Sequence, residues 1–230
     1  MMMSANKKVT TLSAAGQEYI KQIYLGSAEK QTTMHTKELA ERIGANPASV
    51  TDMIKKLAQK QLINYQKGHG FSLNEKGNLE ALLVIRRHRL WELFLGEKLG
   101  INWKEIHDIA NRLQNIDAEL LISSLEAYLG FPVYDPHGEV IPDASGHLPY
   151  TDRVEIYDLK VNQGATISGF RDSGKAFLEY IEKLKLLIGN KVRIISLIEY
   201  DKSLEIEVNT SEIFIITKET AQKIYVNINK

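Results

Sequence analysis

Two short helical patterns separated by a three-residue break place the tightest constraint on the fold of this chain. The first pattern covers residues 36–43 and ends at Gly44-Ala45-Asn46, and the second begins at Pro47. Asn46 is a preferred helix cap, and proline is tolerated at the first helical position because that N–H has no partner within the helix. Apolar residues then recur at helical spacing up to Leu57. The pattern predicts a helix-turn-helix.

A predicted β-hairpin follows these two helices. Apolar-rich residues 62–65 and 71–73 flank Lys67-Gly68-His69-Gly70, a basic and glycine-rich tip. Together with the two helices, this hairpin predicts a winged helix, whose second helix enters the DNA major groove by its amino-terminal turn. The predicted DNA-binding residues lie on that helix and on the wing: Pro47, Ala48, Ser49, Thr51, Asp52, Lys55, Lys56 and Lys67.

The distribution of charge supports a polyanionic partner although the net charge is zero. The chain has 29 Lys plus Arg and 29 Asp plus Glu. Residues 1–100 hold 15 basic and 9 acidic side chains, a balance of +6, whereas residues 101–150 hold 2 and 8, a balance of −6. The basic share therefore coincides with the predicted winged helix.

Cysteine is absent, which excludes disulfides and thiolate ligands or nucleophiles. The sequence has no run of 18 apolar residues, and its start, MMMSANKKVTT, has no apolar signal core, so we expect a cytoplasmic protein without a membrane partner. Residues 153–230 alternate in the manner of short strands, which predicts a small β-barrel. The predicted fold class is α+β, with domains at residues 1–76, 77–150 and 151–230.

A candidate metal site lies on the long helix predicted for residues 78–99. His88 and Glu92 are four residues apart and project from one helical face. His107 can approach that face if the next helix packs antiparallel. Two imidazoles and one carboxylate suit Mn, Fe, Co, Ni or Zn. A surface ion pair remains the alternative interpretation of the His88 and Glu92 spacing.

The residues discussed so far resemble the diphtheria toxin repressor family of iron- and manganese-dependent transcriptional regulators. The resemblance rests on Glu18-Tyr-Ile-Lys-Gln-Ile-Tyr24, on Asn46-Pro-Ala-Ser-Val-Thr-Asp-Met53, on Arg87-His-Arg-Leu-Trp-Glu92 and on Ile106-His107. Residues 159–228 resemble the family's SH3-like domain, which is similar to ferrous-iron transport protein A. The resemblance implies a homodimeric repressor of metal-homeostasis genes that binds a palindromic DNA operator when loaded with a divalent metal, Mn or Fe first.

The resemblance also implies two metal sites. The ancillary site maps onto His88, Glu92 and His107, with Asp172 of the SH3-like domain as a further candidate ligand. The primary site maps onto Glu18 together with the neutral amides Asn111, Gln114 and Asn115, where the family carries acidic, thiolate or imidazole ligands.

The resemblance also places Lys21 at the primary site, at a position where manganese-type members of the family carry an acidic residue. An ammonium group there would repel a divalent cation or pair with Glu18. Two hypotheses follow from this ligand set. The amides and Lys21 form a polar network that replaces the metal, giving a metal-independent or differently gated regulator, or metal activation runs through the His88 site alone.

A dimer interface and two other functional classes complete the expectations. Leucines on the two helices predicted after residue 100 exceed the needs of a small core and suit a two-fold interface, namely Leu113, Leu120, Leu121 and Leu125. The His88 cluster alone would also fit a non-haem iron enzyme, but the sequence has no phosphate loop or nucleophile motif, so no enzymatic activity is predicted. A metal-independent DNA-binding or scaffold protein, with a peptide-binding SH3-like domain, is the remaining alternative.

Overall fold

The structure is a computed structural model and describes residues 12–30, 33–66, 70–171, 174–209 and 212–228. Its α-helices are α1 (Ala14–Lys30), α2 (Thr36–Ile43), α3 (Pro47–Gln59), α4 (Glu75–Leu93), α5 (Trp103–Leu113), α6 (Glu119–Tyr128), α7 (Lys175–Lys183) and α8 (Lys218–Ala221). Its strands are β1 (Ile63–Gln66), β2 (Gly70–Leu73), β3 (Val154–Glu155), β4 (Gly164–Phe170), β5 (Lys191–Leu197), β6 (Leu204–Val208), β7 (Glu212–Ile216) and β8 (Ile224–Ile228).

Contacts divide the chain into two compact units. The first unit comprises Met1–Trp91, Ile109–Leu125 and Pro142–His147, and the second comprises Glu92–Asp108, Glu126–Ile141 and Leu148–Lys230. Among the described residues, no helix combines the length and the hydrophobicity that crossing a bilayer requires.

The break between α2 and α3 is set by two local signals in the first unit. Gly44 ends α2 in the left-handed conformation, with φ of 71°, and its N–H donates to the Ala40 carbonyl. Glycine adopts this conformation without the steric cost that a Cβ imposes. Asn46 then caps α3, because its Oδ1 accepts a hydrogen bond of 2.9 Å from the Ser49 N–H. The predicted helix-turn-helix is therefore present.

The wing is a short antiparallel hairpin that is tied to the rest of the first unit. Strands β1 and β2 pair from Ile63 opposite Leu73 to Gln66 opposite Gly70. Met34 extends the pairing, since it exchanges two backbone hydrogen bonds of 2.9 Å with Phe71. Phe71 is fully buried in the apolar core that α1, α2 and α3 share with the hairpin. The hairpin thus has a fixed base, while its tip at residues 67–69 lies outside the described residues.

Helix α4 begins earlier than the sequence predicts and ends in a wider turn. Asn74 caps it by accepting a hydrogen bond of 2.9 Å from the Gly77 N–H, so residues 75–77, which precede the predicted helix, form its first turn. Gly77 is needed there because a Cβ would collide with the Leu62 carbonyl oxygen. Beyond Leu93 the chain continues as a π-helical turn, Phe94–Lys98, instead of the predicted α-helix.

The second unit is built on a six-stranded antiparallel sheet. Its strand order is β3-β8-β4-β5-β6-β7. Alternate residues of the strands are buried, as in β6, where Leu204, Ile206 and Val208 face the core and the intervening glutamates do not. Irregular register in β4 and β5 bends the sheet, and α7 contributes Leu178 and Ile181 to the same core. The sheet matches the predicted SH3-like domain, so the predicted α+β fold class is confirmed.

A loop segment of the second unit crosses strand β4 at two glycines. A Cβ on Gly138 would collide with the backbone of Ser168 and Gly169, and a Cβ on Gly169 would lie 2.6 Å from the Gly138 carbonyl oxygen. The Phe170 N–H donates a hydrogen bond of 2.9 Å to the carbonyl of His137 beside this crossing. The segment around residues 134–141 is therefore fixed on the sheet by direct backbone contact.

Candidate metal centre and nucleic-acid interface

The first turn of α3 is exposed to solvent. Pro47, Ala48 and Ser49 are exposed, while Val50 behind them is fully buried. The turn therefore presents the amino terminus of the helix to solvent, where the helix dipole favours a negatively charged group such as a phosphate.

The other predicted DNA-binding residues differ in availability. The Thr51 hydroxyl donates to the Pro47 carbonyl at 2.9 Å and is half-buried, so it is engaged within its own helix. Asp52 and Lys55 form an exposed ion pair of 3.6 Å, which partly offsets the acidic charge near a phosphate surface. Lys56 is exposed on the same helix. Lys67, at the wing tip, lies outside the described residues.

The candidate metal ligands converge at the end of α4. Glu92 follows His88 by one helical turn, and the two residues are only 1% and 7% exposed. His107 of α5 places its Nδ1 at 3.0 Å from Glu92 Oε1. One ligand atom from each of the three residues lies within 4.8 Å of the other two. His107 therefore approaches this face of α4, as predicted. His88 and Glu92 are buried, so they do not form the surface ion pair that was the alternative interpretation.

The donor set of this cluster fits a first-row divalent metal ion. Imidazole nitrogens and a carboxylate oxygen are the ligands that Mn, Fe, Co, Ni and Zn accept in proteins. Glu92 is almost fully buried, and a metal ion held by this cluster would add to the positive charge that a buried carboxylate requires. Asp172, the further candidate ligand, lies outside the described residues.

The residues predicted for the primary site form a closed polar ring instead. Lys21 Nζ lies 3.0 Å from Glu18 Oε2 and 3.0 Å from Gln114 Oε1, and Gln114 Nε2 donates back to Glu18 Oε2 at 3.0 Å. Asn111 Oδ1 accepts a further bond from Lys21 Nζ at 2.6 Å. The pairing of Lys21 with Glu18, one of the two outcomes expected from the sequence, is present, and an ammonium group occupies the centre of the cluster.

Glu18 is ionised in this ring, and Asn115 lies outside it. Burial alone would raise the pKa of Glu18, but the Lys21 ammonium and hydrogen bonds from Gln22 and Gln114 hold that pKa below its ordinary value. Glu18 is therefore a carboxylate at neutral pH. Asn115, also predicted for this site, donates its side-chain N–H to the carbonyls of Asn111 and Arg112 and does not join the ring.

Sequence reasoning missed Arg87, which lies beside the ring. Its guanidinium donates to the Gln114 carbonyl at 2.7 Å, to Gln17 Oε1 at 3.0 Å and to Asp117 Oδ1 at 3.3 Å. Burial lowers the pKa of Arg87 and is only partly offset by Asp117. The signal that could have revealed it is the run Arg86 to Arg89, four basic residues within an otherwise apolar helical stretch, each less than 10% exposed.

The predicted dimerisation leucines divide into two groups. Leu120 is 81% exposed and Leu121 is 41% exposed, so both present apolar surface on α6. Leu113 is half-buried, and Leu125 is buried within the protomer, where it cannot contact a partner without rearrangement. The exposed surface on this helix therefore centres on Leu120.

A winged helix with an exposed, capped reading helix, combined with a buried cluster of two histidines and one glutamate, defines a DNA-binding protein with a candidate metal centre. Residues 11–71 match the iron dependent repressor N-terminal DNA binding domain, and residues 74–143 match the iron dependent repressor metal binding and dimerisation domain. Residues 154–228 match the FeoA domain. The chain belongs to the iron-dependent repressor family, a family of metal-dependent transcriptional repressors, as the resemblance in the sequence predicts.

Individual relatives agree with this assignment. An uncharacterized HTH-type transcriptional regulator of Methanocaldococcus jannaschii is 30% identical over 118 residues, which cover 51% of this chain and 94% of that protein. The iron-dependent repressor IdeR of Mycobacterium bovis is 29% identical over 124 residues, and the match covers 54% of each chain.

A solved structure extends the likeness to the whole fold. The structure described as a manganese-dependent transcriptional repressor complex with manganese has a TM-score of 0.80 and 29% identity, and the match covers 93% of this chain and 100% of that one. These relatives are transcriptional regulators and support a regulatory role over an enzymatic one.

Proposed function

We propose that this protein is a cytoplasmic transcriptional repressor that binds a palindromic DNA operator as a homodimer and responds to a divalent metal, Mn or Fe first, held by His88, Glu92 and His107. The target genes would be those of metal homeostasis. The observation that carries the proposal is the convergence of these three ligands in a chain that also exposes a capped reading helix.

The chemistry of the cluster explains how a metal can act as a signal. The ion would supply positive charge that compensates the buried Glu92 carboxylate and links α4 to α5 through His107. Glu92 and His107 are already within 3.0 Å of each other, so little rearrangement of these two side chains is needed. A ligand that favours one conformation shifts the population towards it, and we expect the favoured state to place the two reading helices of the dimer at the operator half-sites.

Metal dependence is tested by operator binding. DNA duplexes selected from a random pool in the presence of Mn²⁺ serve as the probe, and fluorescence anisotropy measures Kd with Mn²⁺ and with chelator. We expect binding at least tenfold weaker in chelator, and a loss of this difference in the His88→Ala/His107→Ala variant. His147→Ala is the matched control, because His147 is an exposed histidine in a loop of the first unit. Equal affinity with metal and with chelator would refute metal dependence, while selection of no duplex at all would refute DNA binding.

The DNA-facing surface is tested separately. Lys56→Ala should weaken binding to all duplexes alike and reduce the slope of log K against log salt concentration by about 1, because one phosphate contact is lost. Lys183→Ala, on α7 of the second unit, is the control. An unchanged slope in Lys56→Ala would place the DNA on another surface.

A second candidate function is a regulator that binds DNA without metal. The observation that favours it is the Lys21 ring, in which a cation is already present. The chelator experiment discriminates between the two functions, since only the metal-dependent repressor loses affinity.

A further inference from the structure

The Lys21 ring, a polar pocket between α1 and the end of α5, differs from the His88 cluster in its donor chemistry. Its oxygen atoms come from one carboxylate and two neutral amides, and a lysine amine lies among them. A divalent ion in the same pocket would stand next to an ammonium group and would be repelled by it. The residues of this pocket therefore do not fit the second metal ion that the family resemblance implies.

We propose that the ε-ammonium of Lys21 is the permanent cation of the Glu18, Asn111 and Gln114 pocket, so that α1 and the end of α5 are held together without a dissociable metal ion. The inference concerns the first unit alone and does not rest on DNA binding or on metal binding by the His88 cluster.

The directions of the hydrogen bonds support a built-in cation. Lysine can only donate and an ionised glutamate can only accept, so Gln114 satisfies both by turning its oxygen to Lys21 and its amide N–H to Glu18. Asn111 also presents its oxygen to Lys21 at 2.6 Å. Each donor in the ring therefore faces an acceptor, and the oxygen atoms that would bind a metal ion bind the ammonium group instead.

The burial and the sequence separation show what the ring connects. Lys21 is only 3% exposed, and its acceptors Asn111 and Gln114 are 90 and 93 residues away in the chain. Arg87 of α4 binds the backbone carbonyl of Gln114 at 2.7 Å, so a second buried cation fixes the same residue. Two covalently attached cations thereby join α1, α4 and the end of α5. This part of the molecule would be assembled at all times, and any metal response would arise from the His88 cluster alone.

The first test counts metal ions. Equilibrium dialysis against Mn²⁺, followed by elemental analysis, is performed on the full chain and on the His88→Ala/His107→Ala variant. We expect one Mn²⁺ per chain in the first and none in the second. An ion that remains in the double variant and disappears when Glu18→Gln is added would overturn the proposal. Failure of the proposed function has a different result, namely no bound ion in the unaltered chain or an operator affinity that chelator does not change.

The second test measures the link between the helices by thermal unfolding, followed by helical circular dichroism. In the His88→Ala/His107→Ala background, chelator should leave the melting temperature unchanged, whereas Lys21→Met should lower it by several degrees. Lys55→Met is the matched control, since Lys55 is a helical lysine with an exposed side chain. If Lys21→Met does not fold, Asn111→Leu removes one acceptor of the ammonium and should give a smaller decrease. A melting temperature unaffected by Lys21→Met, or lowered by chelator in this background, would overturn the proposal.

Discussion

Removal of the Arg87 guanidinium should destabilise the first unit more than removal of any exposed ion pair. Arg87→Met keeps much of the side-chain volume but deletes the donors to the Gln114 carbonyl and to Gln17 Oε1, both in buried residues. Leaving a buried acceptor without its donor costs about 1–3 kcal/mol, so two acceptors cost roughly 2–6 kcal/mol. The bond to Asp117, whose side chain is 48% exposed, adds little.

The burial of Arg87 itself reduces this estimate. The Arg87 guanidinium is almost fully buried and therefore loses hydration in the folded state, which also lowers its pKa. Replacing it with an apolar side chain regains part of that cost. We therefore expect a net loss of about 2–4 kcal/mol in the free energy of unfolding. Arg87→Lys should lose less, because an ammonium can still donate to one or two of the acceptors.

Urea unfolding followed by far-ultraviolet circular dichroism measures this loss. Arg193→Met is the control, since Arg193 forms a hydrogen-bonded ion pair with Glu207 on the exposed face of the sheet, and a much smaller change is expected. In a double-mutant cycle, Gln17→Leu should cost less in the Arg87→Met background than in the unaltered chain. The reasoning is refuted if Arg87→Met and Arg193→Met have equal effects or if the cycle shows no coupling.

Three further predictions concern the cap of α3, the loss of stability at acidic pH and the dimer interface. Asn46→Ala removes the hydrogen bond from the Ser49 N–H, and urea unfolding should show a decrease of about 1 kcal/mol in the free energy of unfolding. The same variant should bind the operator more weakly. An affinity equal to that of the unaltered chain would show that the cap does not position the reading helix. The pKa of Glu18 is lower in the folded state than its ordinary value of 4.5. Its contribution to stability is therefore fully present above pH 4.5 and is lost as the pH falls through the pKa of the folded state. Urea midpoints measured from pH 7 to pH 3 should therefore fall more steeply in the unaltered chain than in Glu18→Gln, and parallel curves would contradict this. Leu120→Asp should convert the dimer to a monomer, as measured by sedimentation velocity. Tyr200→Asp, at a side chain 98% exposed in the second unit, is the control and should leave the dimer intact. A dimer that persists in Leu120→Asp would exclude the Leu120 surface as the dimer interface.

Features set by neighbouring residues could be predicted from the sequence. The cap at Asn46 and the start of α3 at Pro47 depend on residues a few positions apart, and both are present in the structure. His88 and Glu92 share a helical face for the same reason. The start of α4 is harder to predict, because glycine disfavours a helix, whereas the contact of Gly77 with the Leu62 carbonyl requires a glycine within this one.

Contacts between distant residues could not be derived from periodicity. Helical spacing shows that Lys21 and Glu18 lie near each other, but it does not reveal that the acceptors of Lys21 come from positions 90 and 93 residues away. Asn115 shows the opposite case, since it lies just beyond the end of α5 and bonds to backbone carbonyls in the last turn of that helix. The choice between a distant partner and the nearest backbone depends on packing that one-dimensional patterns do not contain.

The crossing of Gly138 and Gly169 has a consequence for the order in which the second unit folds. The segment at residues 134–141 is synthesised early, but it docks on β4, and one edge of β4 is completed only when β8 (Ile224–Ile228) pairs with it. Contacts between residues so far apart form late, because a long loop must first close. We therefore expect the segment to remain undocked on the ribosome until β8 has emerged, so that the sheet assembles first and the crossing segment closes over it afterwards.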